Sequence, residues 1–134
     1  MESMITEQLN FKGRVAIVTG GGTGIGFATA LQLARLGASV VVAARTANEL
    51  ERAATEIQAQ SGNRCRAIAT DVKVEEAVVQ MVQRTMEEFG RIDVLINNAG
   101  GTRMGPLEAI PTKGWDSIFD LNAQIGRASC RERV

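Results

Sequence analysis

Between an apolar run, Val15-Ala16-Ile17-Val18, and a segment of helical spacing, Phe27-Ala28-Thr29-Ala30-Leu31-Gln32-Leu33, stand Thr19-Gly20-Gly21-Gly22-Thr23-Gly24-Ile25-Gly26. A chain that leaves a strand sharply and enters a helix at once points the helix's unpaired amide groups and positive dipole end at the turn. A pyrophosphate can lie there. Gly20 permits the sharp exit, Gly24 removes a Cβ that would hold a ligand away, and Gly26 lets the helix close onto the strand layer. Glycines also cluster in loops that bind nothing. The strand, glycine turn and helix context is what makes this one read as a dinucleotide cradle, with Thr19, Gly20, Gly22, Thr23, Gly24, Ile25 and Gly26 as its candidate contacts.

The elements needed to place that turn can be read along the chain. A second apolar run, Ser39-Val40-Val41-Val42-Ala43-Ala44, follows a helix ending at Leu36-Gly37, as a crossover to a parallel strand requires. A third, Ala67-Ile68-Ala69-Thr70, runs into Asp71-Val72, and a fourth, Ile92-Asp93-Val94-Leu95-Ile96, into Asn97-Asn98-Ala99-Gly100. Helices are predicted over Asn48 to Gln60, with Leu50, Ala53, Ala54 and Ile57 on one face, and over Val74 to Phe89. The second places Val74, Ala77, Val78, Met81, Val82, Met86 and Phe89 in an apolar stripe, and Gly90 ends it. Both stripes read as core. Gly101 to Leu107 is a predicted loop at the binding edge, where Arg103 reads either as a substrate contact or as solvated surface. Thr112 to Asn122 returns to a helix through Trp115, Ile118 and Phe119. This alternation predicts an α/β fold, a doubly wound parallel sheet of which about four strands are visible. Ligands of such sheets bind where the carboxyl ends of the strands converge.

Composition narrows the function classes. An apolar fraction of 45% suits a packed core. Net charge is zero, and the last ten residues hold three arginines and one glutamate, so the remainder carries 12 basic and 14 acidic residues, or −2. Neither balance attracts nucleic acid. With no histidine and two separated cysteines, Cys65 and Cys130, neither a protein-built metal site nor a disulfide framework is expected. No segment has the roughly 20 apolar residues that span a bilayer, and the acidic, short N-terminus does not make a secretory signal. A cytoplasmic setting is the default, with a peroxisomal address at the true C-terminus left open.

In order and spacing, Thr19-Gly20-x-x-x-Gly24-Ile25-Gly26, Asp71 after the third strand, and Asn97-Asn98-Ala99-Gly100 resemble the short-chain dehydrogenase/reductase family. The resemblance covers roughly residues 9 to 124, and since the family's sheet usually has seven strands, it implies a Rossmann-type doubly wound parallel sheet truncated here after about four strands. It implies that Asp71 contacts adenine beside Val72. It also implies that Asn97, Asn98, Ala99 and Gly100 steady the sheet and line the cofactor ribose, with Asn98 in contact. Asn122, in Asp120-Leu121-Asn122, matches the asparagine of the family's catalytic tetrad; read alone, it is also a helix residue that bonds neighbouring backbone. The family's tyrosine, lysine and serine would lie beyond Asn122, and this chain has no tyrosine. A tyrosine hydroxyl, whose unperturbed pKa is about 10, exchanges a proton with substrate only when a lysine lowers that value. The chain by itself is therefore expected to bind cofactor and reduce nothing.

Cofactor choice turns on Ala43-Ala44-Arg45-Thr46. An acid at the end of the second strand would accept from the ribose 2′-hydroxyl of NAD, whereas arginine welcomes the 2′-phosphate of NADP. The acid is absent here. Arg45 and Thr46 point to NADP(H) ahead of NAD(H), unless Arg45 merely caps a surface helix. The resemblance implies a small-molecule carbonyl, alcohol or acyl-thioester substrate and a homo-oligomeric full-length parent, with no nucleic-acid or membrane partner. Gly100-Gly101, Pro106 and Lys113-Gly114-Trp115 are similar to a peroxisomal trans-2-enoyl-CoA reductase branch, behind the general carbonyl reading. A nonenzymatic NADP-binding module, and a chain unable to fold alone, are the other classes.

Residues 1–124 read as the N-terminal half of one NADP-binding domain. Residues 125–134, Ile-Gly-Arg-Ala-Ser-Cys-Arg-Glu-Arg-Val, abandon the helical pattern, and one permitted codon set for them spells a common DNA sequencing adapter. They read as a non-native tail outside the fold. A genomic copy encoding the same ten residues would overturn that reading.

Overall fold

Val40, Val41 and Val42 carry stiff branched side chains suited to a pleated strand covered on both faces. All three are fully buried in β2 (Ser39–Ala44). The computed structural model describes residues 4, 8–101 and 106–124. β1 (Val15–Thr19), β2, β3 (Cys65–Ala69) and β4 (Val94–Ile96) alternate with α1 (Gly24–Arg35), α2 (Ala47–Ser61) and α3 (Glu75–Phe89). A short 3-10 turn, Leu107–Ala109, then leads to α4 (Thr112–Phe119), which relaxes into one π-helical turn, Asp120–Gln124. All strand pairs are parallel, in the order β3-β2-β1-β4. The chain winds outward from β1 to β3, then returns to lie on the other side of β1. The switch point of this doubly wound sheet therefore falls between β1 and β4.

Side chains that alternate along the strands divide between two layers. Val18, Val40 and Val42 face Ala30, Leu31 and Ala34 of α1 and Leu50, Ala54 and Ile57 of α2. Ile17, Val41, Ala43 and Ile68 face Val78 and Met81 of α3. Leu50, Ala53, Ala54 and Ile57, the stripe expected for the second helix, are all buried. Among the described residues no helix is long and apolar enough to cross a membrane.

Several elements differ from the sequence expectation. β3 begins at Cys65 rather than Ala67 and ends at Ala69, because Cys65 packs inward at 2% exposure while Arg66, on the solvent side, pairs with Glu88. Burial pushes the Cys65 thiol up to about 12. Val74 does not join the α3 stripe: it is the extended N-cap and is 46% exposed. Thr85 occupies a buried position of α3 instead, its hydroxyl donating to the Met81 carbonyl at 2.8 Å. β4 spans three half-buried residues rather than five. The expected helix through Asn122 stops at Phe119, and Trp115 and Phe119 stand exposed. The loop position Arg103 and the tail 125–134 lie outside the described residues.

The start of β4 is tied to β1 by Asp93, whose Oδ2 accepts from the Val15 amide at 2.8 Å while its own amide donates to the Val15 carbonyl at 2.8 Å. Arg91 grips both carboxylate oxygens, at 2.8 and 2.5 Å. The Arg91 hydrogen bonds, followed by that from the Val15 amide, hold the Asp93 carboxyl below the usual carboxylate range. A lowered folded-state pKa stabilises the fold above the ordinary aspartate value, near 4, and that contribution disappears as pH falls through the folded value. Denaturant midpoints measured from pH 6 downward should show Asp93→Asn less stable than the parent at pH 6, with the gap closing in acid. A constant gap would remove Asp93 as the titrating tie.

Candidate functional site

The glycine turn occupies the carboxyl end of β1, and its backbone takes up what side chains would forbid. Gly20 has φ +65°, and a Cβ there would stand 2.9 Å from Asn98 Nδ2. A Cβ on Gly26 would overlap the Gly20 carbonyl oxygen and lie 2.5 Å from Asn98 Nδ2. Gly24, at φ +57°, would direct a Cβ into open space. Helix and strand thus meet at Gly20 and Gly26, while the Gly24 side of the turn is left clear for a ligand.

Thr19 locks this turn to the segment leaving β4. Its hydroxyl is 1% exposed, accepts from the Asn98 and Ala99 amides at 3.1 Å each, and donates to the Ile96 carbonyl at 3.3 Å. Asn98 adds an Nδ2 hydrogen bond to the Gly20 carbonyl at 3.2 Å. The two motifs, 79 residues apart at Thr19 and Asn98, become one rigid edge. Thr19→Val keeps the shape but strips both amides of their acceptor, and an unsatisfied buried group costs about 1–3 kcal/mol. The variant's denaturant midpoint should fall accordingly; an unchanged midpoint would show that the hydroxyl is dispensable.

A cleft of about 330 Å³ opens between the turn and the exits of β2, β3 and β4. Of the expected site residues, Gly20, Thr23, Arg45, Thr46, Asp71, Val72, Asn98, Ala99 and Gly100 line it. Thr19 and Gly26 stand behind it as supports. Gly22 and Gly24 border an adjoining groove, and the Ile25 side chain is 79% exposed. Asn97 is exposed and is not part of the cleft lining.

Thr23 and Thr46 are the extended N-caps of α1 and α2, and neither side chain makes a capping hydrogen bond. Both helices therefore present amide groups at the cleft for an outside acceptor. Asp71 forms a turn in which Oδ1 accepts from the Lys73 amide at 3.0 Å, and Lys73 Nζ reaches Ser117 Oγ at 2.8 Å, tethering α4 to the β3 exit. Asn122 does not line the cleft. Its Oδ1 accepts from the Gly101 amide at 3.1 Å, and its Nδ2 donates to the Gly101 and Ile118 carbonyls at 2.5 and 2.8 Å. Both groups of this amide are thus held by backbone, and they fix the chain just beyond the Asn97 to Gly100 motif.

Sequence reasoning missed Ala44, Glu49, Thr70, Lys73 and Leu121 in the cleft wall. Thr70 and Lys73 flank Asp71-Val72 directly, so adjacency to the named residues was the available signal, while Glu49 enters from the first turn of α2, three residues past the Thr46 N-cap. Leu121 comes from the π turn, for which the sequence offered none.

A family model described as short chain dehydrogenase matches residues 14–126. A peroxisomal 2,4-dienoyl-CoA reductase of Danio rerio is 37% identical over 109 residues, covering 81% of this chain and 36% of that protein. L-sorbose reductase from Gluconobacter frateurii, solved with NADPH and L-sorbose, has TM-score 0.86 at 31% identity over 92% of this chain and 47% of its own. An NAD+-bound xylitol dehydrogenase has TM-score 0.85 at 33% identity over 90% of this chain and 46% of its own. The chain spans between about a third and a half of the length of the curated relatives it matches. The turn, the β4 motif and the sheet order agree with a match that runs through most of the sequence, and the chain belongs to the short chain dehydrogenase family.

Proposed function

We propose that this chain is the cofactor-holding half of an NADP(H)-dependent oxidoreductase that moves hydride between the nicotinamide and a carbonyl or alcohol substrate. The observation that carries this reading is a glycine-rich turn opening onto a cleft at the sheet's switch point, with Arg45 and no acid at the β2 exit. The residues fit a dinucleotide: α1 amides beyond Thr23 for the diphosphate, Asp71 and Val72 for adenine, and Asn98 to Gly100 for ribose. Arg45, Thr46 and the α2 amides suit a 2′-phosphate. When bound, the nicotinamide supplies or accepts the hydride. The chain's own part is to hold the diphosphate on fixed dipoles and to keep the cleft floor rigid through Thr19 and Asn98. Asn122 is proposed to hold the edge where the family's proton-transfer residues would assemble.

The dienoyl-CoA reductase relative favours an acyl-thioester as a second substrate class. Following NADPH oxidation by the protein encoded at the complete locus, with ketones and with 2-enoyl and dienoyl thioesters, separates these classes. The 134-residue chain, which has no tyrosine, should show no turnover with either. Turnover by the chain alone would disprove the need for the tyrosine, and no turnover by the complete protein would leave a nonenzymatic nucleotide-binding module.

A further inference from the structure

Glu49 stands in the first turn of α2, where an acid is adverse to an anionic ligand at the same helix end. It lines the cleft alongside Arg45 and Thr46, and it also lines the adjoining groove of about 400 Å³ beside Gly22, Thr23 and Gly24. Its Cγ would lie 3.9 Å from a Cβ on Gly22. The carboxylate therefore belongs to the wall between the glycine turn and Arg45. Among the described residues no hydrogen bond or ion pair neutralises it, and Arg45 is likewise unpaired. By contrast, the first turn of α1, at the diphosphate end, contains no acid.

We infer that Glu49 is a specificity-determining residue that limits the grip on a 2′-phosphate, holding the preference for NADP(H) over NAD(H) below what Arg45 alone would set. This inference rests on the assignment of Arg45 to the 2′-phosphate. A fixed negative charge beside a dianion repels it, whereas the neutral 2′-hydroxyl of NAD meets no such repulsion. Both groups are solvent-exposed, so the effect is moderate and screened by salt.

Calorimetric titrations of the full chain with NADP+ and NAD+ test it in the parent, Glu49→Gln, Glu49→Asp and Arg45→Asp. Glu49→Gln should raise the NADP+ to NAD+ affinity ratio about three- to tenfold at low salt, with most of the gain lost at high salt. Glu49→Asp, which keeps the charge, should stay near the parent ratio. A parent that prefers NADP+ through Arg45, yet has the same ratio in Glu49→Gln, overturns the role of Glu49. A parent without preference, unaltered by Arg45→Asp, overturns the underlying 2′-phosphate assignment instead.

Discussion

Gly26→Ala should cost the protein its cofactor site and a large part of its stability. The added methyl would overlap the Gly20 carbonyl oxygen and press within 2.5 Å of Asn98 Nδ2. Neither atom is the free end of a flexible side chain: one is turn backbone, and the other donates to that same carbonyl. Relief requires α1 to move off β1, which separates the amides of the α1 N-terminus from the Asn98 to Gly100 edge. Overpacking of this kind costs about 1–3 kcal/mol, occasionally more, against a total stability of about 5–15 kcal/mol. A loss of about 3 kcal/mol or more is expected here, because backbone must shift. Gly24→Ala is the control: its methyl meets nothing, so only the left-handed backbone penalty, about 1–2 kcal/mol, applies. Denaturant midpoints should rank the parent above Gly24→Ala and Gly24→Ala above Gly26→Ala. Equal losses would mean that the helix does not close on the strand through Gly26.

Arg45→Asp should reverse cofactor preference. A charge-assisted contact contributes about 1.5–3 kcal/mol, and about 1.4 kcal/mol corresponds to tenfold, so NADP+ affinity should drop by roughly ten to more than a hundredfold. The new carboxylate would repel a 2′-phosphate and accept from a 2′-hydroxyl, so NAD+ should gain. Competition between the two nucleotides reads the ratio directly. An unchanged ratio would reduce Arg45 to a solvated residue beside the α2 N-cap.

How much of this was legible in the chain depended on whether the signal was local. Ser39–Ala44 could be read to the residue because an unbroken branched run between turn residues has few alternatives. The α2 stripe was equally plain, since four small or aliphatic side chains recur at helical spacing. Cys65 was lost from β3 because the arginines on either side masked its inward direction; edge strands tolerate such charges on their exposed side. Val74 looked like core by hydrophobicity, yet its position at the helix entrance turned it outward.

For the site, the glycines, Asp71 and the asparagine motif were visible as motifs. Thr19 was named as a cofactor contact, but its buried hydroxyl works on backbone that arrives from β4, and no local pattern announces a hydrogen bond across 79 residues. Asn122 showed its identity in the sequence, whereas its clamp on Gly101 depends on a π turn that apolar periodicity does not encode. Lys73 and Glu49 resembled ordinary surface charges. Only the convergence of the strand ends gave them a place in the cleft wall.

The most direct measurement is calorimetric titration of the full chain with NADP+ and, separately, NAD+, accompanied by thermal melts. Saturable heat with NADP+, a weaker response to NAD+, and a melting temperature that rises with nucleotide concentration are expected. Absence of heat and of any melting shift with both nucleotides would contradict the dinucleotide cradle itself.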